Sequence, residues 1–312
     1  MPSQLEGRLT KLVVVRSPLD NSVVSSMAAL TSLQHLELRG CISCSPLEQG
    51  SIMLADLAAL STLTRLTALH WGEVAGRVVF NLHQSLPKLV LGLQHSLKSL
   101  ELSGLHSAEC KPSTLRCLSS LQRLQNLEIK GCDSTSMLLE LGLDNLPQGL
   151  ESLSLRYVAI QQPNACSQLS NLTSLTLSHC QAVTSLDALE VSMARLPGLG
   201  HLELTDMPQL RTSHFSHLAA LTQLTSLAMS STGNQHVGNS ALSLLTTLTR
   251  LRKLRWSAGD ILDNILDPVI LKSFPNLHLL TISTSMYFRM ARWSALGVME
   301  FLPFCQLEAV GP

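Results

Sequence analysis

Apolar positions recur along this chain in a fixed pattern. Leu-x-x-Leu-x-Leu, or a close variant, begins at Leu9, Leu33, Leu66, Leu97, Leu124, Leu150, Leu172, Leu199, Leu224, Leu251 and Leu277. The steps between starts are 24, 33, 31, 27, 26, 22, 27, 25, 27 and 26 residues. Inside each copy the apolar fourth and sixth positions alternate with polar ones, as Leu36 and Leu38 do with Glu37 and Arg39, which is the period-2 mark of a half-buried strand. Between copies a different spacing takes over. In residues 54–66, 115–124 and 215–224 leucine returns every three residues, a spacing that suits a short α-helix or a 3-10 turn equally. A unit this small cannot bury its own apolar face, so the repetition predicts a stack in which each unit covers its neighbour. Successive strands then lie in parallel about 4.8 Å apart, and their outward residues line up as columns on one surface.

The cleanest copies are LQHLELRGC from Leu33, LQNLEIKGC from Leu124 and LTSLTLSHC from Leu172. They resemble leucine-rich repeats, over about residues 9 to 285. The resemblance implies an α/β solenoid, a curved horseshoe with a concave parallel sheet and helices or 3-10 turns on its convex side. Residues 1–285 are assigned to the repeat domain and 286–312 to a C-terminal capping segment. Cys41, Cys132 and Cys180 share the ninth position of their copies, as in the cysteine-containing subfamily. The LTxLxxL return segments look more like leucine-rich-repeat proteins of green algae and other protists.

Irregular stretches carry information too. Between Leu66 and Leu97 the register is ambiguous, since LPKLVL from Leu86 also fits; the Leu97 phase is preferred because LGLQHSLKSLEL aligns with LDNLPQGLESLSL. The tail after residue 285 abandons the period and holds five of the eleven aromatics: Tyr287, Phe288, Trp293, Phe301 and Phe304. A bulky cover over the last apolar face is the economical reading. A docking site and a degraded twelfth repeat near Leu302 remain open. Only eight residues precede the first motif, leaving Val13, Val14 and Val15 near an open strand edge. That end is expected to continue into a longer protein or to be capped by a partner.

Composition narrows the function classes. Charged residues are 14% of the chain and balance at 22 against 22, so no global pull toward nucleic acid or a membrane surface is expected. No apolar run reaches the roughly 18 residues of a membrane helix, and the first residues lack the pattern of a signal peptide. Eight cysteines, three of them at one repeat position, fit a reduced protein better than a disulfide framework. A cytoplasmic location follows as the expectation. Cys41 and Cys44 have metal-pair spacing without a second pair. His214 and His217 have no nearby carboxylate or thiolate in their own unit and are read as polar convex surface. Trp71 and Trp256, standing where leucine is usual, are read as core fillers. No nucleophile–base–stabiliser set is legible, so no catalytic, cofactor or metal residue is assigned and the chain is read as non-enzymatic.

Binding is expected on the concave face. One column runs Val13, Glu37, His70, Glu101, Glu128, Ser154, Thr176, Glu203, Ala228, Arg255, Thr281, and the next, two residues on, holds Arg39, Lys130 and Arg156. With Tyr157 and the basic cluster Arg252, Lys253 and Arg255, these form a mixed-charge surface suited to a protein partner rather than to a small molecule. A solvated strand face has the same look, so that alternative stays open. By resemblance, two uses are expected: substrate recognition in a ubiquitin ligase complex, or a cytoskeletal or ciliary-axoneme component. The alternative is a targeting module of a larger enzyme whose catalytic domain lies outside this chain.

Overall fold

The computed structural model describes residues 8–40, 42–43, 57–72, 82–105, 110–132, 138–182, 186–207, 209–230, 239–258, 268–284 and 306–310; Cys41, Cys44 and the five tail aromatics lie outside them. The chain divides into two compact units, Met1–Gln161 and Gln162–Pro312.

In the first unit every motif copy becomes a strand: β1 (Lys11–Val15), β2 (His35–Arg39), β3 (Ala68–Trp71), β4 (Ser99–Leu105), β5 (Asn126–Gly131) and β6 (Ser152–Arg156). They pair in parallel and in chain order, so that Leu12, Leu36, Leu69, Leu100, Leu127 and Leu153 share one rung. In the second unit β7 (Ser174–Ser178), β8 (His201–Thr205), β9 (Ser226–Ser230), β10 (Lys253–Ala258), β11 (Leu279–Thr284) and β12 (Gln306–Val310) do the same, with Leu175, Leu202, Leu227, Leu254, Leu280 and Leu307 on one rung.

β12 lies within the stretch assigned as a cap. Its register pairs Leu280 with Leu307, so residues 306–310 continue the ladder by one more parallel strand. The Leu97 phase is the observed one: Leu100 pairs with Leu69, and Leu86 lies inside a helix.

Two devices lock the register. The backbone carbonyl at motif position two accepts two amides from the next repeat: Thr10 O from Gln34 and His35, Gln34 O from Thr67 and Ala68, Thr173 O from Gly200 and His201, all at 2.8–3.0 Å. Slipping by one residue would break this bond pair and turn the leucines outward. The second device is a left-handed residue at motif position eight: Arg16, Gly40, Gly104, Tyr157, His179 and Asp206 have φ between 48° and 75°. From there the amides of Arg16, His179 and Asp206 bond the following strand's end at Arg39 O, Thr205 O and Ser230 O.

The return segments use both helix types. The long unit starting at Leu66 carries the 12-residue helix α2 (Leu82–Leu93), whereas the 22-residue unit starting at Leu150 carries only the 3-10 turn Pro163–Gln168. The first unit opens with α1 (Asn21–Ala28), capped by Asp20 Oδ1 accepting the Val23 amide at 2.8 Å. The second holds α3 (Leu186–Met193), followed one repeat later by the 3-10 turn Thr212–His214 running into the helical turn Phe215–Leu218.

The core is the leucine spine between sheet and return segments. Leu33, Leu66, Leu124, Leu150, Leu172, Leu199, Leu224 and Leu251 are all 0% exposed. Each such burial is worth about 1.5–3 kcal/mol against chain entropy. Trp71 and Trp256 are core residues, Trp256 lying against Phe215 with ring centroids 6.1 Å apart.

Candidate functional site

Strand alternation leaves one face of each sheet bare of helices. On β4 and β6 the leucines are buried while the intervening side chains stay at least partly exposed, apart from Ser103, which packs down. In the first unit the parallel register sets Glu37, His70, Glu101, Glu128 and Ser154 side by side on β2 to β6. A second row, Ser103, Lys130 and Arg156, runs beside it on β4 to β6. The sequence columns are therefore real neighbours, about 4.8 Å from strand to strand.

Their states differ. Glu37 is buried at 7% exposure and is held by an ion pair with the exposed Arg39. His35, two residues before it, stands 3.8 Å away through Nε2 and meets the His70 ring edge to face at 5.0 Å. Burial first, then His70 and Lys11, push the His35 pKa down, so it is neutral at physiological pH. His35 is not among the residues predicted from the sequence; counting back by two from Glu37 locates it. Glu101 accepts from Ser103 Oγ at 3.2 Å and faces His70 Nδ1 at 3.8 Å. Glu128 is exposed, yet partial desolvation on the crowded sheet, then the Glu101 carboxylate, raise its pKa, against Arg156, His70 and Lys130, which lower it.

Tyr157 is not in a column. It occupies the left-handed turn after β6, half-buried. In the second unit Glu203 on β8 accepts from Thr205 Oγ1 at 3.3 Å. Lys253 and Arg255 are exposed on β10, with Ser226 and Ala228 beside them on β9 and Leu279 and Thr281 on β11, so the adjoining strands offer no carboxylate. Arg252 is exposed just ahead of β10. The predicted residues thus form two groups, one on each unit's sheet.

One expectation is overturned. His214 is not convex polar surface: it is 7% exposed and faces Asp187 and Glu190, carboxylates from the preceding repeat. Looking for partners only within its own unit missed them, because stacking brings together residues one period apart. The described cysteines 110, 117, 132, 166 and 180 are not in disulfides; Cys180 donates to Ser178 O at 3.4 Å, as a ninth-position cysteine holding its turn. Among the described residues no helix is long and apolar enough to cross a membrane.

No family model and no curated protein matches the chain. Among solved structures, an internalin from Listeria monocytogenes is similar over 99% of this chain and 88% of its own, at 19% identity and TM-score 0.51. Internalin C2 of the same organism covers 74% of this chain and 84% of its own, at 21% identity and TM-score 0.47. The first likeness and the parallel ladders agree: the fold is an α/β leucine-rich-repeat solenoid.

Proposed function

We propose that the chain is a protein-interaction scaffold whose bare sheet face, centred on Glu101 and Glu128 in the first unit, receives cationic side chains of a protein partner. The observation that carries this reading is the stacking of those two carboxylates on adjacent strands, with Glu128 already raised in pKa by desolvation and by its neighbour. Like charges side by side on a sheet are unfavourable in the free protein, and an arginine or lysine laid across them relieves the repulsion. The flanking Lys130 and Arg156 restrict which partners fit, since a uniformly basic segment meets them as well.

Within this reading, substrate recognition in a ubiquitin ligase complex and a cytoskeletal or axonemal role in the cytoplasm are the finer settings we propose, both on resemblance. Recognition on behalf of a catalytic domain elsewhere would use the same face. Affinity capture from the native cell with wild type and Glu128→Arg tests the surface. Specific partners should be lost from the variant while its circular dichroism stays native. An unchanged set of captured proteins sinks the reading.

A further inference from the structure

We propose that Asp187, Glu190 and His214 form a binding site for a divalent transition-metal ion on the helical side of the second unit. Asp187 and Glu190 stand three apart on α3, about one turn, and so project from one face. His214 arrives from the next repeat's 3-10 turn. One ligand atom from each lies within 4.8 Å of the other two, and His214 Nε2 is already 3.0 Å from Asp187 Oδ1. Two tetrahedral ligands with metal bonds of about 2.0–2.2 Å stand roughly 3.4 Å apart, so closure asks Glu190 to approach by about an ångström.

Glu190 supplies the independent reason to expect a ligand. It is 0% exposed, and neither of its carboxylate oxygens has a hydrogen-bond partner. Buried carboxyls are ordinarily paired, because an orphaned one forfeits the bonds it made with water. The nearest candidate partner is His214, whose Nδ1 lies 3.8 Å from Glu190 Oε1. That nitrogen, however, accepts the Arg211 backbone amide at 2.9 Å. The ring proton therefore sits on Nε2, directed at Asp187, and His214 has nothing to donate to Glu190. Without metal Glu190 keeps its own proton, its pKa raised to about 8 by burial and by Asp187.

A cation resolves this arrangement. Glu190 gives its proton to solvent, the ring proton moves from Nε2 to Nδ1, and Nε2 joins the two carboxylates around the ion. The Arg211 amide loses its acceptor, so one hydrogen bond is exchanged for three ligand bonds. Arg211 and His217, whose charges reach His214, oppose a cation, and two carboxylates outweigh them only with Glu190 ionised. Two oxygens and one imidazole nitrogen suit zinc or manganese better than magnesium or calcium, which take oxygen alone. Asp187 is exposed and gives the ion an entry from solvent.

Calorimetric titration of the chelator-stripped full chain with zinc chloride tests the site. The expected result is one ion per chain, with affinity at least about tenfold weaker in Asp187→Ala and in Glu190→Gln. Asp187→Ala also removes the acceptor of the His214 Nε2 proton, so Asp187→Asn, which keeps an oxygen there, is the variant expected to melt like wild type without metal and to separate lost ligation from lost folding. Cobalt in the zinc position should give weak visible bands and no thiolate charge-transfer band. Absence of binding, equal binding by wild type and Asp187→Ala, or a thiolate band from a cysteine site each overturns the proposal.

Discussion

Gly92→Ala sets two physical effects of opposite sign against each other. Gly92 lies in α2, where alanine is the better helix former by about 1 kcal/mol, so propensity alone predicts a stabilised protein. The packing predicts the reverse. A β-carbon built there meets Ser61 at 2.4 Å from its carbonyl oxygen, 2.5 Å from Cβ and 2.8 Å from Cα. Ser61 belongs to the 3-10 turn Leu57–Thr62 of the preceding repeat, whose Leu57 and Leu60 are buried in the spine. Two of the three clashing atoms are backbone, so no rotamer change removes the overlap; α2 or the turn must shift by about an ångström. Overpacking of that kind costs about 1–3 kcal/mol, and with backbone on one side the upper half of the range applies. The net expectation is a loss of about 1–2 kcal/mol, read as a lower urea midpoint with an unchanged slope. Gly149→Ala is the control: its β-carbon would meet only carbonyl oxygens at 3.7 Å, ordinary contact. If Gly92→Ala unfolds at or above the wild-type midpoint while the control is neutral, the close approach is not what keeps glycine there.

Other outcomes follow from the same structure. Gly104, at φ 75°, should lose about 1–2 kcal/mol as alanine. Arg16→Gly at the same repeat position should gain less than that, because glycine also loosens the unfolded chain; two urea curves decide it. Phe215 and Trp256 pack together in the core, and Trp256→Ala should cost about 3–5 kcal/mol in the second unit, seen as loss of near-ultraviolet ellipticity. In chelator, Glu190 holds its proton up to about 8 when folded but releases it near 4.5 when unfolded. Its contribution to stability is therefore full below about pH 4.5 and declines as pH rises toward 8. Glu190→Gln should flatten that decline, and parallel slopes for variant and wild type across pH 5 to 8 would refute the assignment.

Strands were the most legible part of this chain, because each carries its own evidence. The alternation around Leu36 and Leu38 needs no knowledge of the rest of the molecule, and the same holds for ten other copies. Stacking them in order also fixes which residues share a row, so the sequence alone places Glu37, His70, Glu101 and Glu128 together. The return segments were less legible, since spacing by three fits both helix types and unit length does not separate them: the 24-residue unit starting at Leu9 carries α1, the 33-residue unit starting at Leu33 the 3-10 turn Leu57–Thr62. The left-handed position eight was hidden for a different reason: glycine marks it in Gly40 and Gly104, but Arg16, Tyr157, His179 and Asp206 adopt it without a glycine to announce it. Tyr157 was consequently grouped with the concave-face columns, and it sits in the turn that follows the strand.

The Asp187, Glu190 and His214 cluster escaped for a reason built into stacked repeats. In a globular domain, chemistry assembles from residues at unrelated distances along the chain, and a sequence scan has no offset to prefer. Here each unit touches mainly the next, so side chains that meet are separated by about one repeat. His214 follows Asp187 by 27 residues and Glu190 by 24, the latter equal to the shortest step but one between motif starts. A search for carboxylates within a few residues of His214 finds none, while the same search displaced by one period finds both. The rule also bears on the bare face, where Glu101 and Glu128 are 27 apart and Lys130 and Arg156 are 26 apart. For a chain of this kind, candidate sites should be sought along the repeat offset, because the ladder converts that spacing into contact.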